Sequence, residues 1–368
     1  MNVRIGVVLG WWGLAAACWG GGPSSVPVCR PWVDQLRQQG DALRVLAAAT
    51  SPGGALGALL ANAASLQHTV ETGQGWQTTV VHPAAPASRR GALAADGGGW
   101  IALYSVDGLQ VARSLDGASW SGTARAAAGL DVADVAHFRE GTGPARVVFI
   151  TRAPIALWLA EERPDGSWQV TSLALPPEAA RHATTPARVA VAPGAVGGTW
   201  VSASVGASVY AGRWSAAGWA PVDVRAGASD DVMDLAGLVD GQGRAWLVYR
   251  SQAGDRARLH AMMLTSNAGP QAEMQLDAAL VSADDSRLLV AGVDAAGRVR
   301  ILHARAATEL VLTVLDAPHV LRDAVALPVG ARITSVQGTL QAGSLTLVET
   351  HSMENGQDQV LTHRCSDP

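Results

Sequence analysis

Short apolar runs, interleaved with polar positions at every second residue, follow one another along most of the chain. Residues 96–127 show the unit most clearly: DGGG, WIALYSV, DG, LQVARS, LDGASW, SGTARAA. A period of two sends successive side chains to opposite faces, which is the pattern of β-strands. Asp107-Gly108 between two such runs reads as a hairpin turn, because both central residues of the tight turn need positive φ. The same grammar recurs in units over 43–81, 89–127, 131–175, 186–224, 233–276, 287–327 and 332–365. The last unit has three runs and the others four. No long amphipathic helix is predicted. Only 31–39, where Val33 and Leu36 share a helical face, is read as a short helix or an irregular segment.

Tryptophan marks the repeat. Trp76, Trp120, Trp168 and Trp219 each open a fourth run, 44, 48 and 51 residues apart, and Trp100, Trp200 and Trp246 each open a second run. A unit of about 50 residues with four strands suits a propeller blade. A lone four-stranded sheet cannot cover both apolar faces. Radial packing of such sheets hides each face against a neighbour and leaves short edges. The fold expected is therefore all-β, a seven-bladed β-propeller over 41–366, with six or eight blades as the alternatives. The last unit lacks its fourth strand, and 24–33 (SSVPVCRPWV) is assigned to fill that place, so that the two chain ends share one blade. Cys29 then lies beside Cys365, and a disulfide between them is expected to clamp the closure.

Composition narrows the function classes. The chain has 368 residues, 48% of them hydrophobic, and a formal net charge of −4. Every basic residue is Arg, and none of them forms a run. A phosphate-tracking surface is not expected, so nucleic acid is not a predicted partner.

The N-terminus reads as an export signal. Arg4 is followed by an apolar stretch over 5–14 and by Ala15-Ala16-Ala17 before Cys18. That is a charged end, an apolar middle too short to span a bilayer, and a small-residue cleavage site. Residues 1–17 are thus assigned as signal peptide. LAAAC at 14–18 resembles the lipobox of bacterial lipoproteins, although Leu14 stands one position further from the Cys than that family prefers. The resemblance implies a lipid on Cys18, a tether over 18–28 and, with Trp19 after the Cys, sorting to the outer membrane. Ordinary cleavage after Ala17 is the alternative. Three Cys in an exported chain leave one thiol over, and a lipid on Cys18 leaves Cys29 and Cys365 to pair.

Ser114-Leu115-Asp116-Gly117-Ala118-Ser119-Trp120 is similar to the Asp-box S-x-D-x-G-x-[ST]-W, shortened by one residue. With the blade rhythm, it makes 24–366 resemble secreted bacterial β-propellers with degenerate blades, including the sialidase-like group. In that group the box stabilises a turn and is not catalytic.

In a propeller the ends of the second strands gather on one face. They bring Tyr104, Arg152, Tyr249, Arg250, His303, Arg305, Glu349 and His351, and the following loop adds Asp107. The links between blades add Arg181, His182, Asp230, Asp231, Asp284 and Asp285 to the same face. This polar rim is the candidate binding surface. The sialidase-like resemblance implies a sharper version, with Arg152, Arg250 and Arg305 clamping a carboxylate beside Tyr249 and Glu349. The F/Y-R-I-P motif of that group is absent. No metal or cofactor is expected. The nine His lack ligand spacing, and Asp240-Gly-Gln-Gly and Asp294-Ala-Ala-Gly read as hairpin turns that lack calcium-loop ligands. His68, His260 and His363 are read as half-buried third-strand residues. No nucleotide-binding or nucleophile-elbow motif occurs. The Trp residues are assigned to blade packing over sugar stacking.

The expected protein is an envelope lipoprotein, monomeric unless in an assembly, and a binding or assembly scaffold for a protein or glycan, with a non-catalytic role favoured. The alternative is a sialidase-like carbohydrate-active hydrolase.

Overall fold

The computed structural model describes residues 33–366 apart from 41, 87–89, 97–98, 122–123, 180–185, 196–197, 216–217, 226–228, 255, 266–268, 271–272, 281–286, 307, 317–318, 326–331, 342–343 and 353–356. These residues form seven antiparallel sheets. Strand β1 (Val33–Gly40) belongs to the last of them. The first sheet runs β2 (Arg44–Thr50), β3 (Leu56–Ala61), β4 (Leu66–Thr72), β5 (Gly75–His82). The second is β6 (Ala92–Asp96), β7 (Gly99–Ser105), β8 (Gly108–Ser114), β9 (Ala124–Ala128). The third is β10 (Val132–Phe138), β11 (Arg146–Arg152), β12 (Ile155–Glu162), β13 (Trp168–Leu173), and the fourth β14 (Ala187–Ala195), β15 (Gly198–Val205), β16 (Ser208–Ser215), β17 (Gly218–Arg225). In the fifth, β18 (Asp231–Val239), β19 (Ala245–Ala253) and β20 (Arg256–Thr265) are followed by β21 (Gly269–Pro270) and β22 (Met274–Leu280), which both pair with β20. The sixth is β23 (Leu289–Val293), β24 (Val299–Ala306), β25 (Glu309–Asp316), β26 (His319–Val325). The seventh is β27 (Arg332–Gln341), β28 (Ser344–Ser352), β29 (Asp358–Ser366) and, outermost, β1.

Each first strand packs on the first strand of the next sheet, and β27 packs back on β2, so the sheets close into a ring. Alternation explains why the ring holds. On β11, Val147 and Phe149 enter the core shared with the second sheet, while Val148 and Ile150 enter the core shared with the fourth. On β19, Leu247 and Tyr249 face the fourth sheet and Val248 the sixth. One strand thus feeds two cores, and neither face of a middle sheet is left to water. The Trp residues in or just before the fourth strands behave alike. Trp76, Trp120, Trp168 and Trp219 each pack into the seam with the preceding sheet. The indole N–H of Trp219 donates to the carbonyls of Val201 and Gly212, both at 3.1 Å.

Seven inner strands converging on one axis demand small residues there. The channel is lined by Ala48, Ala94, Ala136, Val191, Gly237, Ala291 and Gly338, among others. A Cβ on Gly237 would stand 2.6 Å from the Val191 carbonyl oxygen. At the Asp107-Gly108 turn both residues have positive φ, 52° and 109°.

Three expectations are corrected. Residues 33–39, read as helix or irregular, are strand, and the place beside β29 assigned to 24–33 belongs to β1 over Val33–Gly40. The reason lies in the repeat itself: the segment just before a first strand is the fourth strand of the preceding sheet. Gly40 leads to Arg44 through a link as short as that between β9 and β10. Residues 24–32, with Cys29, lie outside the described residues, and so does the side chain of Cys365. His68 and His260 do lie on third strands but are fully buried, at 0% and 4% exposure, not half-buried.

Candidate binding face

The ends of the second strands and the links between sheets meet at one end of the channel. The rim expected there divides by depth. Asp107, Arg152 and Arg305 reach the surface, where Arg125 pairs with Asp107 at 3.0 Å and Arg152 with Asp131 at 2.8 Å. Arg305 approaches Asp277 and Glu309, each at 3.6 Å. Tyr104, Tyr249, Arg250 and His303 are each 0% exposed and lie in the seams between sheets, not on the rim. Their strands alternate between two cores, so a residue near a strand end is buried when a neighbouring sheet overhangs it. Glu349 and His351 lie on β28 opposite Val336 and Ile333, and their side chains are outside the described part. Arg181, His182, Asp284 and Asp285 also lie outside it. Arg152, Arg250 and Arg305 stand on three different sheets, each beside its own carboxylate, and do not converge on one pocket.

A different set of charges does converge. Arg90, Asp134, Arg188, Asp234 and Arg287 sit at or just before the starts of the first strands of the second to sixth sheets, alternating in sign around the ring. Asp134 and Asp234 each follow a β-bulge, at 132–134 and 232–234. A bulge frees a backbone carbonyl and turns the next side chain out of the ladder. The freed carbonyl of Met233 accepts from Arg90 at 2.8 Å and from Arg188 at 2.6 Å. Arg90 also pairs with Asp234 at 2.8 Å, joining the second sheet to the fifth, and Arg287 pairs with Asp134 at 3.2 Å, joining the sixth to the third. Both pairs cross the axis and close the channel. The carboxylates also staple neighbours: Asp134 accepts from the Val189 amide and Asp234 from the Leu288 amide, each on the next sheet. Ser335, after the bulge in β27, accepts from the Val45 amide in the same way. Burial opposes ionisation of Asp234, yet Arg90, Arg250 and the Leu288 amide hold its pKa below the ordinary carboxylate value.

The seam between the fourth and fifth sheets holds a second polar network. Ser251 Oγ donates to Asp230 at 2.6 Å and lies 3.0 Å from His260 Nε2, and His260 Nδ1 pairs with Glu273. Tyr249 stacks on His260 at 4.8 Å, with Arg225 over its other side at 5.4 Å. Serine, histidine and carboxylate stand in the order of a nucleophile relay. However, Ser251 is 0% exposed and gives its proton to Asp230, so the network serves the seam and not a substrate.

At the opposite end of the ring the Asp turns are structural. Asp116 accepts from Ser114 Oγ and from the amides of Ala118 and Ser119 at 2.7–3.0 Å. The Ser119 and Ala118 amides, with the Ser114 hydroxyl, hold its pKa at about 2. The Gly117 carbonyl in turn accepts from His68 and Thr79 of the first sheet, so the turn also docks a neighbour. Asp240 and Asp294 each bind the amide four residues on and pair with the Arg there, at 2.7 and 2.8 Å. The described residues contain no group of acidic, His or Cys side chains able to hold a metal ion.

No protein-family model and no curated sequence matches the chain. Solved structures do. The structure of YCF48 bound to D1 peptide aligns with a TM-score of 0.55 at 14% identity, over 90% of this chain and 94% of that one. A PL25 polysaccharide lyase, an ulvan lyase bound to -[GlcA(1-4)Rha3S]-, gives 0.63 at 11% identity, over 91% and 96%. The polysaccharide lyase Uly1 gives 0.55 at 9%, over 91% of each chain. The chain is a β-propeller. At these identities the likeness is one of fold alone, and a propeller's fold leaves its ligand open.

The sequence carried a signal for the crossing charges. Arg opens the first strand in ARV (187–189) and SRL (286–288), and Asp interrupts an apolar run in ADV (133–135) and MDL (233–235). A charge inside an apolar inner strand needs a buried partner.

Replacing Asp234 with Asn leaves Arg90 and Arg250 buried beside a neutral group. A loss of about 3–5 kcal/mol in unfolding free energy is expected by urea titration, and a loss under about 1 kcal/mol would contradict the bracing role. Acid acts through the buried histidines. Burial lowers His68 and His303 from 6.5 to about 4. Their stabilising neutral forms are fully present above pH 6.5, and this contribution is lost as pH falls toward 4. The Tm of His68→Asn should therefore fall less than that of the parent chain between pH 7 and pH 4, and equal slopes would count against the assignment.

Proposed function

We propose that the chain is an exported, lipid-anchored, seven-bladed propeller that serves as a binding or assembly scaffold at the cell envelope, engaging a protein or glycan through its rim. The single observation that carries this reading is the closed channel mouth. Arg90, Arg188 and Asp234, at 1–2% exposure, fill the depth where a small substrate would sit. What remains is a broad face edged by half-exposed Arg–carboxylate pairs on the second, third and sixth sheets, a polar rim suited to a macromolecule. A peptide in one fold neighbour and a glycan in another agree with both partner classes. The sialidase-like alternative needs an Arg clamp, which the described residues do not assemble.

The anchor is assigned to Cys18, in the outer membrane, with residues 1–17 removed and Cys29 paired to Cys365. Mass spectrometry of the non-reduced protein is expected to find an acylated Cys18 peptide and a linked Cys29–Cys365 peptide; free thiols at both would remove the clamp. For the rim, Asp107→Arg combined with Arg152→Glu should abolish capture of an envelope partner by the chain starting at Trp19 while leaving Tm within about 2 °C, as expected of surface changes. Turnover of a fluorogenic sialoside that is lost in Arg305→Ala would replace the scaffold reading with the hydrolase.

A further inference from the structure

The Asp turn of the second sheet does more than bend the chain. Beside it, at the end of the ring away from the rim, lies a pocket of about 430 Å³. Small-molecule sites typically measure roughly 300–1,000 Å³. The described lining comes from this sheet and its turn, and includes Trp100, Arg113, Leu115, Asp116, Ser119 and Trp120. The indoles are fixed in advance. The rings of Trp100 and Trp120 each lie 5.0 Å from the His68 ring of the first sheet, and the Trp120 indole N–H donates to Thr79 Oγ1 at 3.2 Å. Trp100 is buried. Trp120 is half-buried, so it covers its seam and still offers surface to the pocket. Leu115, at 87% exposure, stands on the same turn.

Two charged groups of opposite sign share this pocket. The three hydrogen bonds that Asp116 accepts from the turn all end on Oδ1. The Ser119 hydroxyl adds only a weak pull on the carboxylate, so Oδ2 keeps lone pairs for a further donor. Arg113 pairs through one terminal nitrogen with Glu162 of the third sheet at 2.7 Å, and its side chain is still 39% exposed. Among the described residues, the rest of its fork is open to an acceptor. A cation drawn to Asp116 meets Arg113 in the same pocket, and an anion drawn to Arg113 meets Asp116. A neutral polyol suits both: one hydroxyl donates to the carboxylate and another accepts from the guanidinium. A ring with polar edges and an apolar face also finds a place for that face, on the indole.

We propose that the pocket binds one uncharged hexopyranose ring of a glycan, with hydroxyls on Asp116 Oδ2 and Arg113 and an apolar face on Trp120. The site lies at the far end from the rim and does not depend on the rim reading.

The test is saturation-transfer difference NMR on the full chain, without sugar-headed detergents. The probes are methyl glucoside, methyl galactoside and methyl mannoside, with glucosamine and glucuronate as charged controls. At least one neutral glycoside should bind with a Kd of about 1 mM, the range expected for a single sugar ring, and both charged sugars more weakly. Asp116→Asn keeps the oxygen that the turn uses and puts an amide NH₂ in place of Oδ2. It should weaken the neutral glycoside at least about tenfold, the loss of a hydrogen bond to a charged group, and improve glucuronate. No signal from any of the three neutral glycosides at about 20 mM, well above that Kd, overturns the proposal. Glucosamine binding more tightly than every neutral glycoside overturns it too, as does an Asp116→Asn affinity equal to the parent's. Binding that is lost in the Asp107→Arg, Arg152→Glu chain but kept in Asp116→Asn places the sugar on the rim and refutes the pocket. If Asp116→Asn does not fold, Arg113→Gln decides: weaker neutral binding with stronger glucosamine binding supports the site, and unchanged affinities refute it.

Discussion

Charges that reach across the axis are the constraint on which this ring depends. Apolar packing joins each sheet only to its neighbours, and a ring held by neighbours alone can breathe open at any seam. Arg90 to Asp234 and Arg287 to Asp134 each tie sheets three places apart. The bulges at 132–134 and 232–234 make this possible, because they free the Met233 carbonyl and turn the two carboxylates inward. A buried pair is weak evidence of net stability over an apolar alternative. Its value here lies in specifying which sheets stand opposite one another.

The architecture was legible because the strand period and the Trp positions state it twice. Val147 to Ile150 alternate between two cores as a period of two requires, and each Trp in or just before a fourth strand covers the seam behind it. The Asp-Gly turn at 107–108 adopted the φ values that its residues call for. The closing strand was misplaced because its polar sequence, VDQLRQQG, carries little alternation. Only the logic of the connection before β2 locates it.

The candidate face was only partly legible, for a physical reason. Sequence rhythm says which residues stand near a strand end but not whether the next sheet overhangs that end. Tyr104 and Asp107 are three residues apart, yet one is sealed in a seam and the other lies open to water. The crossing charges leave only a faint signal in sequence: each stands alone in an apolar run, and its partner is fixed only when sheets three places apart face each other.

Strand β1 has a consequence for how the molecule is made. Its partner β29 lies more than 300 residues away, so this contact closes the longest loop in the chain, and loop entropy delays such contacts. Strand β1 must stay unpaired until β29 has been made. Synthesis and assembly therefore cannot proceed in step: until β29 is made, β1 lacks its partner and the first sheet has no seventh sheet to cover its face.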